Sequence, residues 1–208
     1  MIFIALHIED QVFPKRCGHL DGKTLVETDV MMKKINVAAE ASVKCSKGSF
    51  IICARTDANG VSGLEETIKR SKRYIDAGAS MIFPEGLKNS EEFKIVADEL
   101  KTYGSNEGPF LLANMTEFGK TNYISLKEFK ELGYNCVIYP VSTLRVAMRA
   151  VDLFLKDLLK NGSQKEYVKK MQTREELYSL LHYEPGKEWL YPTPHCKDIE
   201  YDEDTTKK

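Results

Sequence analysis

The sequence predicts an α/β protein built as an incomplete (β/α)8 barrel that retains about five of the eight units. Three observations carry this. Short apolar runs rich in β-branched and aromatic residues alternate with helical patterns along the chain; no two of those runs sit in a hairpin; and polar residues recur just after the strands, where a parallel barrel gathers its strand ends on one face.

The first strand is expected at Ile2 to Ile8, and the others at Phe50 to Ala54, Met81 to Phe83, Phe110 to Ala113 and Cys136 to Tyr139. In the helix read over Ser62 to Gly78, Ser62 and Glu65 have capping-box spacing, Leu64, Ile68 and Ile75 mark an apolar face, and Gly78 is the stop. The next, about Ser90 to Tyr103, buries Phe93, Val96, Ala97 and Leu100. Ser125 with Glu128 forms another box ahead of Phe129 and Leu132, and Gly133 ends that helix. Leu144, Met148, Val151, Leu155 and Leu158 make the longest stripe, and Thr173 with Glu176 caps a last helix carrying Leu177, Leu180 and Leu181. The division that follows is a partial barrel over residues 1–162, a C-terminal helical segment over 163–183 and an irregular or disordered tail over 184–208. A full barrel of this kind takes about 250 residues and eight strands. With 208 residues and five strand candidates, three strands are expected to be missing.

Thirty basic residues against 31 acidic give a net charge of −1, with no basic stripe to follow a phosphate backbone or an anionic membrane, so neither nucleic acid nor membrane is an expected partner. The five cysteines are odd in number and form no CxxC pair, which points to a reducing, intracellular compartment, cytoplasmic or mitochondrial. Ile2 to Leu6 is too short for a membrane span and has no basic residue ahead of it to make a signal peptide. Cys45, Cys53 and Cys136 read as core residues. His7 is equally a packed or a site histidine, and His182 and His195 read as surface residues.

The polar strand-end residues are Glu9 and Asp10, then Arg55, Thr56 and Asp57, then Glu85, then Asn114, Thr116 and Glu117. Between His7 and His19 an acid pair, Lys15, Arg16 and Cys17 crowd into thirteen residues with no helical pattern. Cations beside a thiol favour its ionised form and suit it to proton transfer. Gly18 would let the backbone approach a ligand closely.

Lys15-Arg16-Cys17-Gly18-His19, preceded by Glu9-Asp10-Gln11, resembles the signature loop of the isocitrate lyase/phosphoenolpyruvate mutase superfamily, and the Lys-Arg form is closer to its methylisocitrate lyases. Ala54 to Ala58, Phe83-Pro84-Glu85, Ala113 to Phe118, Tyr139-Pro140 with Arg145, and Met171 to Arg174 with Leu177-Tyr178 resemble further segments in the same order. The likeness covers roughly residues 6 to 183. It implies a Mg2+-dependent carbon–carbon lyase cleaving 2-methylisocitrate to pyruvate and succinate. Cys17 would be the general acid, with Lys15 and His19 tuning it. Arg55, Arg145 and Arg174 would clamp substrate carboxylates; Gly18, Glu85, Asn114, Met115 and Thr116 would complete the substrate contacts; Glu9 would lie near the metal without binding it directly. Glu117 is equally a site residue or a structural carboxylate at the barrel mouth. Arg174 falls in the first turn of a helix, where a cation opposes the helix dipole, so a non-structural role is expected for it.

Members of the family carry a Ser-Gly-Gly loop and a metal-binding Asp-x-Asp pair ahead of this region, and neither precedes the Cys17 loop here. The sequence is therefore expected to be an N-terminally truncated member that is inactive alone. Other readings keep the fold with isocitrate, dimethylmalate, oxaloacetate or phosphonate substrates, or make the chain a non-catalytic fragment assembling with a full-length homologue. The family also implies a homo-oligomer, a tetramer.

Overall fold

The computed structural model describes residues 4–105 and 107–187. Five parallel strands, β1 (Ala5–Glu9), β2 (Ile51–Thr56), β3 (Met81–Pro84), β4 (Phe110–Asn114) and β5 (Cys136–Ile138), lie side by side in chain order and curl into part of a barrel. Sequential parallel neighbours require a crossover on one side of the sheet, and four of these are helical: α1 (Thr28–Ser46), α2 (Leu64–Asp76), α3 (Ser90–Leu100) and α4 (Leu126–Glu131). All five expected strands form within a few residues of their expected ends. Ile2 and Phe3 of the first, and the tail from residue 188 with His195 and Cys196, lie outside the described residues.

Alternation along the strands sorts their side chains into two layers. Ile52, Ala54, Ile82, Leu111 and Ala113 pack outward against Met31, Ile35, Tyr74, Phe93, Val96, Leu100 and Phe129 of the helices. Phe93, Phe129 and Tyr134 meet edge to face, with centroids 5.0–5.8 Å apart. The register Glu9↔Arg55 and Arg55↔Phe83 brings the other layer together, with His7 edge-on to Phe83 at 5.9 Å.

Phe93, Val96, Ala97 and Leu100 are the buried face of α3, as their spacing predicts. The Ser125–Glu128 box closes as expected. The start of α2 differs. Ser62 does not cap it: the Ser62 N–H is taken by the Ala58 carbonyl, and Gly63, at φ 87°, is the N-cap. Nor is the expected apolar face the buried one. Thr67, Arg70, Ser71 and Tyr74 are buried instead, while Leu64, Ile68 and Ile75 are half-buried flanks. The reason is a charge in the core. Asp10 is fully buried and accepts hydrogen bonds from Tyr74 Oη (2.8 Å), Arg70 (3.3 Å), Thr56 Oγ1 (2.7 Å) and the Asp57 N–H (3.0 Å). The face of α2 over that carboxylate has to be polar to satisfy it. Asp10 and Thr56 thus leave the set of strand-end residues expected at the mouth. Burial and the nearby Asp10 charge push the Tyr74 hydroxyl above its usual range, keeping it a donor.

Cys53 is buried, as expected, and Cys136 half-buried, but Cys45, in the last turn of α1, is exposed. His182 is exposed. A second compact unit runs from Ala147, taking most of α5 (Ser142–Asn161) and all of α6 (Arg174–Leu180). The Thr173–Glu176 box caps α6. No residue of α5 is buried, and Leu144, Met148, Val151 and Leu155 of its stripe are exposed.

Candidate active site

The chain between β1 and α1 has no regular structure, and side chains stand in for the missing ladder. A single antiparallel bridge joins Gln11 to Leu25, flanked by Val12 N–H to the Thr24 carbonyl and Val26 N–H to the Asp10 carbonyl, both 2.8 Å. Within the loop so closed, the Gln11 carboxamide accepts from the Arg16 N–H and donates to the Arg16 carbonyl, each at 2.9 Å. Lys23 donates to the carbonyls of Gly18 (2.5 Å) and Leu20 (2.7 Å), and the Leu20 N–H closes a turn onto the Cys17 carbonyl at 2.9 Å. Cys17 is exposed at the head of that turn.

Gly18 rests on the strand ends. A Cβ there would fall 2.3 Å from Glu85 Cγ and 2.9 Å from an Arg55 nitrogen, so only glycine fits. The close approach foreseen for Gly18 is to these two side chains. Glu85, buried just beyond β3, faces Arg55 at 3.3 Å, His19 Nε2 at 3.3 Å, the Asn114 amide at 3.1 Å and the Gly86 N–H at 3.0 Å. Because His19 Nδ1 accepts from the Lys120 N–H at 3.0 Å, a neutral imidazole carries its proton on Nε2, toward Glu85. That contact is electrostatic rather than a well-aligned hydrogen bond, since Nε2 lacks hydrogen-bond geometry to any partner. Lys120 also pairs with Asp21 at 2.5 Å, so the loop after β4 clasps the loop after β1. A Cβ on Gly119 would strike the His19 ring at 2.8 Å.

Arg55 is gripped by Asp57 through two hydrogen bonds of 2.9 and 3.1 Å and lies 3.4 Å from Glu9, with its guanidinium over the Phe83 ring at 4.9 Å. Burial works against its charge, but the Asp57 hydrogen bonds, with Glu85 and Glu9, outweigh that and hold it protonated. Lys15 reaches Glu9 at 2.6 Å. The basic residues flanking Cys17 in sequence are therefore each engaged: Lys15 with Glu9, Arg16 with the Asp21 carbonyl at 3.2 Å, and His19 against Glu85.

The structure brings Cys17, Gly18, His19, Lys15, Glu9, Arg55, Glu85 and Asn114 to one end of the sheet. Met115 is turned into the core, where its sulfur meets the Ile124 N–H at 3.4 Å. Thr116 is buried beside it in sequence. Glu117 accepts from the Ser142 hydroxyl and lies 3.4 Å from Arg145, whose guanidinium covers the Phe118 ring at 5.1 Å. The Ser142 hydrogen bond, its own backbone N–H and Arg145 hold the Glu117 carboxyl below its usual range. Arg174 opens α6 in the second unit and is exposed. Lys23 and Lys120 escaped the reading of the sequence. Neither has a pattern of its own, because both act on backbone atoms or on residues brought close only by the fold.

The described residues do not fit a divalent cation. They contain no group of three or more His, Cys, Asp or Glu able to hold one, and the carboxylates at the mouth, Glu9 and Glu85, are already balanced by Lys15 and Arg55. No described helix is long and apolar enough to cross a membrane.

Over most of its length the chain resembles known proteins. A protein of Corynebacterium glutamicum described as probable 2-methylisocitrate lyase 1 is 49% identical over 178 residues, covering 86% of this chain and 55% of that one. The 2-methylisocitrate lyase of Bacillus subtilis is 45% identical over 179 residues, covering 86% and 56%. Among solved structures, that of 2,3-dimethylmalate lyase, a PEP mutase/isocitrate lyase superfamily member, matches with a TM-score of 0.75 at 36% identity, over 85% of this chain and 56% of that chain. The chain thus spans a little over half the length of the relatives it matches. The profile of the phosphoenolpyruvate phosphomutase family covers residues 3–159. That span takes in all five strands and the Cys17 loop, and on it the chain belongs to the phosphoenolpyruvate phosphomutase family, within the PEP mutase/isocitrate lyase superfamily.

Proposed function

We propose that the protein is a carbon–carbon lyase that cleaves 2-methylisocitrate to pyruvate and succinate, with Cys17 as its general acid. The observation that carries this reading is the seating of the Cys17 turn, through Gly18, on Glu85 and Arg55 at the strand ends. The names of its relatives supply the substrate class. In the reaction the substrate hydroxyl gives up its proton to solvent water and the adjacent carbon–carbon bond breaks. One pair of electrons forms the keto group of pyruvate, and the other is left on the carbon that becomes succinate. Cys17 protonates that carbon from its S–H.

A tricarboxylate arriving here needs positive charge. Arg55 supplies it through its NH1 edge, in exchange with Glu85, because Asp57 already occupies the other side of its fork. Arg145 supplies a second, more exposed guanidinium. Asn114 offers neutral hydrogen-bonding capacity, with its Oδ1 buried and unpartnered. The family implies Mg2+, and since the described residues do not fit it, no step here is routed through it. Residues 1–208 alone are expected not to turn over, because β1 and β5 each pair on one side only among the described strands and the site is lined from that arc alone.

The test is a chimera in which residues 6–183 replace the matching segment of the Bacillus subtilis enzyme. Pyruvate release from 2-methylisocitrate with added Mg2+, faster than cleavage of isocitrate or 2,3-dimethylmalate, is the expected result. A folded chimera that prefers either of the other substrates, or cleaves none, contradicts the reading.

A further inference from the structure

Lys23 is nine-tenths buried, yet no carboxylate of the described residues lies within ion-pair distance of its ammonium. Its hydrogen bonds go only to the carbonyls of Gly18 and Leu20. A buried cation with no carboxylate in contact, and only Asp21 acting on it from beyond ion-pair distance, is costly, and a neutral side chain would pack there more cheaply. The surroundings are nonetheless shaped for it. A Cβ on Gly60 would lie 2.7 Å from Lys23 Nζ and 3.1 Å from its Cε, so the glycine leaves room for the ammonium. Gly60 does not need its conformational freedom for another reason, since its φ is not positive. The two carbonyls bracket His19 and belong to the turn headed by Cys17.

We infer that Lys23 is the positioning residue of the Cys17 loop. Its ammonium, seated against Gly60, takes the carbonyls of Gly18 and Leu20 and so fixes the turn that presents Cys17 on one side and His19 toward Glu85 on the other. With Gln11 holding Arg16, this gives the loop two side-chain clamps in place of secondary structure, one on each side of the thiol. That this order serves catalysis rests on the lyase reading; that Lys23 creates the order does not.

Two variants test it, each made in the full chain and in the chimera. Lys23→Met removes the donor and the charge. Gly60→Ala keeps both but places a methyl where the ammonium sits. Hydrogen exchange of the full chain reads the loop itself and needs no activity. Both variants are expected to speed exchange of the 12–24 segment at least tenfold, leaving the β2 segment 50–57 unchanged and Cys53 closed to alkylation. In the chimera both are expected to lower kcat at least tenfold, with KM within threefold and Tm within a few degrees, a split that a merely structural role would not produce. Unchanged exchange in the loop overturns the inference whatever the chimera does. If Cys53 becomes reactive in both variants, the inference is also overturned, because Lys23 would then hold the whole fold. Faster loop exchange beside a chimera inactive before mutation leaves Lys23 as the loop's clamp and removes only the lyase reading.

Discussion

Asp10 and Cys53 show how differently two buried groups behave at the residue scale. Asp10 collects four donors in the core, one of them the Arg70 guanidinium. Replacing it with Asn leaves too few acceptor sites and takes from Arg70 the buried one of its two carboxylates, the other being Glu66 at 3.0 Å, so Asp10→Asn is expected to cost about 3–5 kcal/mol, read as a fall in the urea midpoint with an unchanged m-value. Burial pushes the Cys53 thiol up to about 12. In the unfolded chain it ionises near its ordinary value of about 8.5. The folded state therefore favours the protonated form, and the stability this contributes is complete below the unfolded value and lost as pH rises toward the folded one. At pH 9 iodoacetamide is expected to label Cys17 and Cys45 but leave Cys53 unmodified until denaturant is added. The sequence shows the acid next to Glu9 but not its fate. Whether a strand-end carboxylate faces the mouth or the helices depends on which helix covers it, and Arg70 and Tyr74 lie 60 and 64 residues away.

Single elements are held by local chemistry that is mostly legible. The boxes Ser125–Glu128 and Thr173–Glu176 close because both members sit within one turn. Ser62 and Glu65 have the same spacing and fail, because the 3-10 turn Ala58–Gly60 draws in the Ser62 N–H and Gly63 takes the cap. A motif read from spacing loses to a tertiary turn that competes for the same donor. The α3 cap is the reverse case: Asn89 accepts from the Glu92 N–H at 3.0 Å and had no place in the sequence reading. Asn89→Ala is expected to destabilise the fold by about 0.5–2 kcal/mol, measured by chemical denaturation. The partly irregular loop 10–25 was identified by its motif and not by its pattern. Its clamps come from Gln11 and Lys23, residue types with no fixed structural meaning.

For the whole molecule, the five strands and their parallel order follow from alternation and the lack of hairpins, and the Cys17 loop from its residues. The charge balance at the mouth does not. Glu9, Asp57 and Glu85 face Lys15 and Arg55, with His19 against Glu85, so the site holds its own counter-ions, and under the proposed function a polyanionic substrate has to displace some of those contacts. The sheet has β1 and β5 as its outer strands among the described residues, with Leu6 on β1 exposed. Such edges invite pairing. We expect the isolated chain to run above its monomer mass in size-exclusion chromatography coupled to light scattering.

The central claim is that Cys17 is the proton donor presented by this loop. The most direct measurement is single-turnover pyruvate release by the chimera with Cys17 and with Cys17→Ser. A hydroxyl in place of the thiol keeps the shape and removes most of the acidity. The expected result is a fall of at least a hundredfold in the rate, consistent with the about 10²–10⁴-fold worth of a positioned acid, at unchanged substrate affinity. A Cys17→Ser chimera that retains its rate would contradict the claim.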